Sequence, residues 1–173
     1  MKRVLKITLA SLSLLALSTA SGGDQPKLTL SKGGQSTWNL DWQGVAGHTY
    51  FTQFSTDLMD WHYAPFIDFG DGAQSRGIAS TSSKFFLRLN YGDFPGIDSL
   101  DDAMNADQDA DGLSNIFEVT HGYDPFEEES TIDGLDADVD PDQDGLGNAA
   151  EQAAGTNPMA KDNSLLMLSV SVD

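Results

Sequence analysis

The sequence predicts a mainly β protein: a small antiparallel β-sandwich-like domain over residues 24–95, then a loop-rich acidic segment with short exit helices over 96–162. Three observations support this. Apolar and polar residues alternate through the front half, the period that turns one face of a strand toward a core. An aspartate-rich text occurs twice in the back half, with an offset of 33 residues. Charge is also divided sharply. Residues 24–95 hold seven acids and five bases, whereas 96–173 hold twenty acids and one base, Lys161, for a formal net charge of −19.

The chain starts Met1-Lys2-Arg3-Val4-Leu5-Lys6 and continues into an apolar stretch from Ile7 to Leu17, interrupted by Thr8, Ser11 and Ser13. Ser18-Thr19-Ala20 then supplies the small residues that a signal peptidase reads. This pattern predicts a secretory signal peptide over residues 1–20, cleaved after Ala20, and is too short and wrongly flanked for a membrane span. No cysteine follows the apolar run, which excludes lipid attachment there, and the chain holds none elsewhere. An exported chain of this kind must be stabilised without disulfides, and a metal is the ready substitute. The expected location is secreted, extracellular or cell-surface, with the periplasm as the other compartment that fits.

Strands are expected in order through the front domain. Lys27-Leu28-Thr29-Leu30-Ser31 alternates, and Trp38, Leu40 and Trp42 recur between Thr37, Asn39 and Asp41. Gly44 to Gly47 is a turn, followed by His48 to Phe54, rich in β-favouring residues. Ser55 to Trp61 turns into a strand that ends at Phe69. Gly70-Asp71-Gly72 signals a tight turn, expected to close a hairpin. Phe85, Leu87 and Leu89 share one face of a closing strand. Phe94-Pro95-Gly96 marks the boundary, and one helical turn fits between Ile97 and Ala106. The tail, over 163–173, alternates Leu166, Leu168, Val170 and Val172 and is expected to form a last strand.

The repeated text is Asp107-x-Asp109-x-Asp111-Gly112-Leu113-x-Asn115-x-x-Glu118, then Asp140-x-Asp142-x-Asp144-Gly145-Leu146-x-Asn148-x-x-Glu151. Both fit the calcium-loop pattern D-x-[DN]-x-[DN]-G-x5-E. Ca²⁺ takes six to eight oxygens at about 2.3–2.6 Å. Carboxylates at loop positions 1, 3 and 5 supply three sides of that shell, and glycine at position 6 permits the sharp turn. The position 7 carbonyl adds an oxygen, so Leu113 and Leu146 are free to be apolar. Asn115 and Asn148 stand where a ligand acts directly or through water, and a position 12 glutamate closes the shell with two oxygens. The register continues: Gly122 matches Gly155, Asp124 matches Asn157 and Pro125 matches Pro158. A fixed period suggests one supersecondary unit used twice. Each loop is expected to lead into a short exit helix, Ser114 to His121 and Asn148 to Ala154, stopped by its glycine. Ile132-Asp133-Gly134-Leu135 offers no helix entering the second loop.

These residues also exclude functions. The net charge of −19 over residues 96–173 repels nucleic-acid phosphates. His48, His62 and His121 sit in no zinc spacing, and no nucleophile elbow, phosphate-binding glycine loop or zinc helix is present. Enzymatic activity is not expected. Trp38, Trp42, Trp61 and Tyr63 admit two readings, core packing or a flat face for sugar rings. Trp38 and Trp42 share their face with Leu40, which favours the core.

The text at 107–125 and 140–158 resembles the bacterial calcium repeats related to thrombospondin type 3 repeats. The loops are also similar to EF-hand and dockerin loops, but a single exit helix is closer to the repeat family. The resemblance implies a secreted or cell-surface protein in which calcium stiffens a spacer. Family loops often follow one another closely, whereas here an acidic linker separates the copies. The animal repeats also carry disulfides that this chain cannot form. The front half, through Gly47 to Tyr50, Ser55 to Leu58, Trp61 and Phe85 to Leu89, resembles β-sandwich modules that accompany such repeats in exported bacterial proteins. No settled activity comes with them.

The expectation is therefore a calcium-binding structural or interaction protein with two Ca²⁺ sites, in which the ion orders an acidic module. The acidic linker is open to further ions. The rival readings are a β module gripping a glycan or a protein partner, with calcium as support, and self-assembly through the last strand.

Overall fold

The computed structural model describes residues 3–10, 13–17, 26, 28–34, 36–80, 82 and 84–161, with 3–10 and 13–17 as backbone only. The strands are β1 (Arg3–Ala10), β2 (Ser13–Leu17), β3 (Leu28–Lys32), β4 (Thr37–Gly44), β5 (Thr49–Ser55), β6 (His62–Phe69), β7 (Gly72–Ala79) and β8 (Phe85–Gly92). The helices are α1 (Leu100–Asn105), α2 (Asn115–His121) and α3 (Asn148–Ala154). The chain forms two compact units, residues 1–106 and 107–173.

The first unit is two antiparallel sheets, ordered β2-β1-β8-β5-β6 and β3-β4-β7. Their facing side chains make one core. Leu28, Leu40 and Trp42 come from the smaller sheet, and Tyr50, Phe85, Leu87, Leu89 and Tyr91 from the larger. This is the mainly β, sandwich-like architecture that the alternation predicts. Strand β5 is buried on both faces, and its polar Thr49, Thr52, Gln53 and Ser55 are buried along with Tyr50 and Phe51. Tyr50 stacks on Tyr91 in the sandwich core. On the opposite face, Phe51 meets Phe94 and Tyr63 edge to face. Helix α1 packs against β6 and therefore belongs to this unit, although composition turns acidic soon after Phe94. Its start is fixed by Ser99, whose hydroxyl accepts from the Asp102 N–H and donates to the Asp102 carboxylate.

The hairpin expected at Gly70-Asp71-Gly72 is corrected by the pairing. Strand β6 pairs with β5 and β7 pairs with β4, so the turn is a corner carrying the chain between sheets. The backbone requires glycine here, with φ of +89° at Gly70 and +94° at Gly72. Gly44 faces Gly72, and a Cβ at Gly44 would lie 2.3 Å from the Gly70 carbonyl oxygen. The corner is braced by buried Asp68, which accepts from Arg76 Nε at 2.9 Å and forms an ion pair with the guanidinium.

The aromatic residues divide. Trp42 and Tyr63 are buried and offer no flat face to a sugar. Trp38 and Trp61 are half-buried, and the Arg88 guanidinium lies 4.3 Å above the Trp61 ring. Along β8, the backbone of β1 pairs from Arg3 opposite Tyr91 to Leu9 opposite Phe85, and β2 pairs back on β1. These strands fall within the expected leader; a chain that loses residues 1–20 would end this sheet at β8. The strand expected over 163–173 lies outside the described residues, as does the self-assembly reading built on it. Among the described residues, no helix is long and apolar enough to cross a membrane.

The second unit is a loop and a helix, used twice. Helices α2 and α3 lie where exit helices were expected, ended by Gly122 at φ 91° and Gly155 at φ 72°. No helix lies between α2 and α3; Thr131 and Gly134 form an isolated bridge in the linker instead. Leu113, Phe117 and Ala137 form a small core with Ala149 packed against it, so both copies and the linker contribute.

Candidate metal centres

In both loops the aspartates fold the backbone: the first of each loop accepts through both oxygens, and the next two each accept through Oδ1. Asp107 Oδ1 accepts from the Ala110 N–H at 2.7 Å and Oδ2 from the Gly112 N–H at 3.0 Å. Asp109 Oδ1 accepts from Asp111 N–H, and Asp111 Oδ1 from Leu113 N–H. The second loop repeats the pattern. Asp140 Oδ2 accepts from Gly145 N–H at 3.0 Å, Asp142 Oδ1 from Asp144 N–H and Asp144 Oδ1 from Leu146 N–H. The backbone matches too: Ala110 and Gln143 have φ of +67° and +61°, and Gly112 and Gly145 have +102° and +100°. Two different sequences in one unusual conformation at the same loop positions indicate one device built twice.

One carboxylate oxygen from each of Asp107, Asp109 and Asp111 lies within 4.8 Å of the others, and so it is for Asp140, Asp142 and Asp144. Ligands sharing one Ca²⁺ at about 2.4 Å stand at most about 5 Å apart, so both groups have the right span. The glutamates come in from the exit helices. Glu118 on α2 and Glu151 on α3 are fully buried. Among the described residues, neither oxygen of Glu118 has a hydrogen-bond partner, and Glu151 Oε2 has none either. The second oxygens of Asp109, Asp111 and Asp142 are likewise buried and unpartnered.

Unpartnered buried carboxylates are costly, and the protein shows the strain as raised proton affinity. Burial, then the carboxylates of Asp109, Asp111, Asp107 and Asp136, push Glu118 up to about 9. Asp109 is raised to about 6 by burial and then by Asp111. Asp111, Asp142 and Glu151 are raised as well, burial first in each case. No cationic side chain among the described residues answers Asp107, Asp109, Asp111 or Glu118. Lys161, the lone base of this half, gives its ammonium to the Gln143 carbonyl at 2.9 Å. Oxygen-only shells with buried orphan atoms and no protein cation fit a hard divalent ion.

The remaining expected residues hold positions consistent with that reading. Leu113 is fully buried in the small core, Leu146 is half-buried, and Asn115 and Asn148 are buried at the helix starts. His121 Nδ1 bonds the Phe117 carbonyl, and no histidine joins a candidate metal group among the described residues.

Sequence reasoning missed the residues that join the copies. Gln152 on α3 reaches the first loop: its Oε1 accepts from the Ser114 N–H and hydroxyl, both at 2.8 Å, and its Nε2 donates to the Gly112 carbonyl at 3.1 Å. Asp136 in the linker is fully buried and stands in a carboxylate group with Asp111 and Glu118. Its flanking Leu135 and Ala137, apolar residues within an acidic run, were the one available signal.

Residues 107–126 and 140–161 match the family model described as Bacterial TSP3 repeat. The matches fall on the two loop-and-helix units and leave the β unit and the linker outside. That family is a calcium-binding structural repeat rather than an enzyme family, as the resemblance implied. No curated protein and no solved structure matches the chain.

Proposed function

We propose that this is an exported, non-catalytic calcium-binding protein in which Ca²⁺ orders and stiffens the acidic two-repeat unit. The observation that carries the reading is Glu118, fully buried with both oxygens unpartnered beside three loop aspartates. Asp107, Asp109, Asp111, Asn115, Glu118 and the Leu113 carbonyl would hold one ion. Asp140, Asp142, Asp144, Asn148, Glu151 and the Leu146 carbonyl would hold the other. When bound, Ca²⁺ supplies the positive charge and the oxygen coordination that these buried groups lack. The chain's part is to hold the oxygens in place: backbone N–H groups fix the aspartates, and the exit helices carry the glutamates inward.

The role is constitutive rather than signalling, because extracellular modules bind Ca²⁺ with Kd on the order of 10⁻⁴–10⁻³ M and stay loaded where calcium is plentiful. Export is supported by the basic and apolar run from Lys2 to Leu17, followed by the small residues Ser18, Thr19 and Ala20. Calorimetric titration of the whole chain with Ca²⁺ tests the reading. Uptake of two ions, abolished by chelator, is the expected result; no uptake at millimolar calcium would contradict it.

A further inference from the structure

We infer that Asp136, in the linker between the two matched segments, is a metal ligand of the first loop's centre and gives it a fifth carboxylate. This rests on the calcium reading above. One carboxylate oxygen each from Asp111, Glu118 and Asp136 lies within 4.8 Å of the other two. The group includes Glu118, the side chain with two buried, unpartnered oxygens. A third carboxylate brought against such a pair is repulsive unless a cation sits among them.

Asp136 is distinguished from its neighbours by burial. Glu127, Glu128, Glu129, Asp133 and Asp138 are exposed, whereas Asp136 has no exposed surface. Its carboxylate is held in place by Ser130, whose N–H lies 3.1 Å from both oxygens and whose hydroxyl donates to Oδ2. A carboxylate accepts in about four directions, so Ser130 orients the group without exhausting it. The backbone that delivers it is also fixed. The Asp136 carbonyl accepts from Asn148 Nδ2 at 2.7 Å, the Ala137 carbonyl from Ala149 N–H at 2.9 Å and the Val139 carbonyl from Asn148 N–H at 3.0 Å. The linker is thus pinned to the start of α3 while offering a carboxylate to the first loop.

The second loop's group of Asp140, Asp142 and Asp144 gains no such partner among the described residues. Affinity rises with ligand charge and with rigidity of the site, so the first centre is the tighter of the two.

Calcium calorimetry and thermal unfolding of the whole chain, with the Asp136→Asn and Asp138→Asn variants beside it, test the assignment. The asparagine at 136 keeps an acceptor for Ser130, and Asp138→Asn removes an equal charge from an exposed neighbour. Asp136→Asn should weaken the tighter step roughly tenfold, leave the weaker step unchanged and not lower the melting temperature in chelator. Asp138→Asn should move neither step. An unchanged tighter step in Asp136→Asn, or an equal fall in melting temperature with and without calcium, would mean that Asp136 only caps the Ser130 turn. A wild-type chain that binds no calcium overturns the calcium reading itself, and this assignment with it.

Discussion

In the unit ending at Ala106, the largest side chains with essentially no exposure are Tyr50, Phe51, Leu40, Leu87 and Leu89; in the unit beginning at Asp107, Glu118 and Glu151 are buried as completely as Leu113. The β unit closes its core with apolar surface, and its buried carboxylate, Asp68, has Arg76 as partner. The acidic unit buries carboxylates that no side-chain cation answers among the described residues, beside a small apolar cluster of Leu113, Phe117 and Ala137. The difference shows what each fold needs from outside. The first is stabilised by removing apolar area from water, about 25 cal/mol per Å². The second is short of positive charge, which a bound divalent ion would supply.

The sharpest way to break this comparison is to damage the β unit and ask whether calcium notices. Leu40→Ala leaves a cavity between the sheets and should cost about 2–5 kcal/mol. All three tryptophans, Trp38, Trp42 and Trp61, lie in this unit, so their fluorescence during denaturant unfolding reports it. The loss should be the same in calcium and in chelator. A calcium-dependent loss would mean that the β unit also depends on the ion.

A smaller effect, of opposite sign in the two conditions, is expected at Glu118. Burial and the neighbouring carboxylates push its carboxyl up to about 9, from an ordinary value of 4.5, in the metal-free fold. The folded state therefore holds the proton more tightly than the unfolded chain does. That contribution is complete below about 4.5 and is lost as pH rises toward about 9. Asp109, raised from 3.8 to about 6, acts in the same direction over a narrower window. In chelator, circular dichroism of the short helices should show the acidic unit melting at lower temperature as pH is raised. Glu118→Gln should flatten that slope and raise the melting temperature in chelator, yet weaken calcium binding. A Gln variant less stable in chelator would show that the carboxylate has a structural partner and is no ion ligand.

Much of this was legible in the sequence, and the gaps have physical causes. The loops could be read because ligand geometry ties residue type to position: aspartates at 107, 109 and 111, glycine at 112 and glutamate at 118 have few other reasons to recur with an offset of 33 residues. The exit helices could be read because Gly122 and Gly155 stop them locally. The corner at Gly70 could not. A tight turn looks the same whether its flanking strands pair with each other or with β5 and β4, and that choice is made by distant contacts. Asp136 was hidden for the same reason. In the linker it is one acid among several, and only the turn at Ser130 and the contacts to Asn148 select it. Tyr63 was balanced between surface and core until packing against Phe51 decided it.

Amide hydrogen exchange on the whole chain, in millimolar calcium and then in chelator, tests the central claim most directly. Amides of α2, α3 and both loops, Gly112, Leu113, Gly145 and Leu146 among them, should be strongly protected in calcium and exchange much faster in chelator, while β4, β5 and β8 exchange alike in both. Equal protection of the loops and helices in the two conditions would contradict the account, because it would show that the ion adds nothing to the order of the acidic unit.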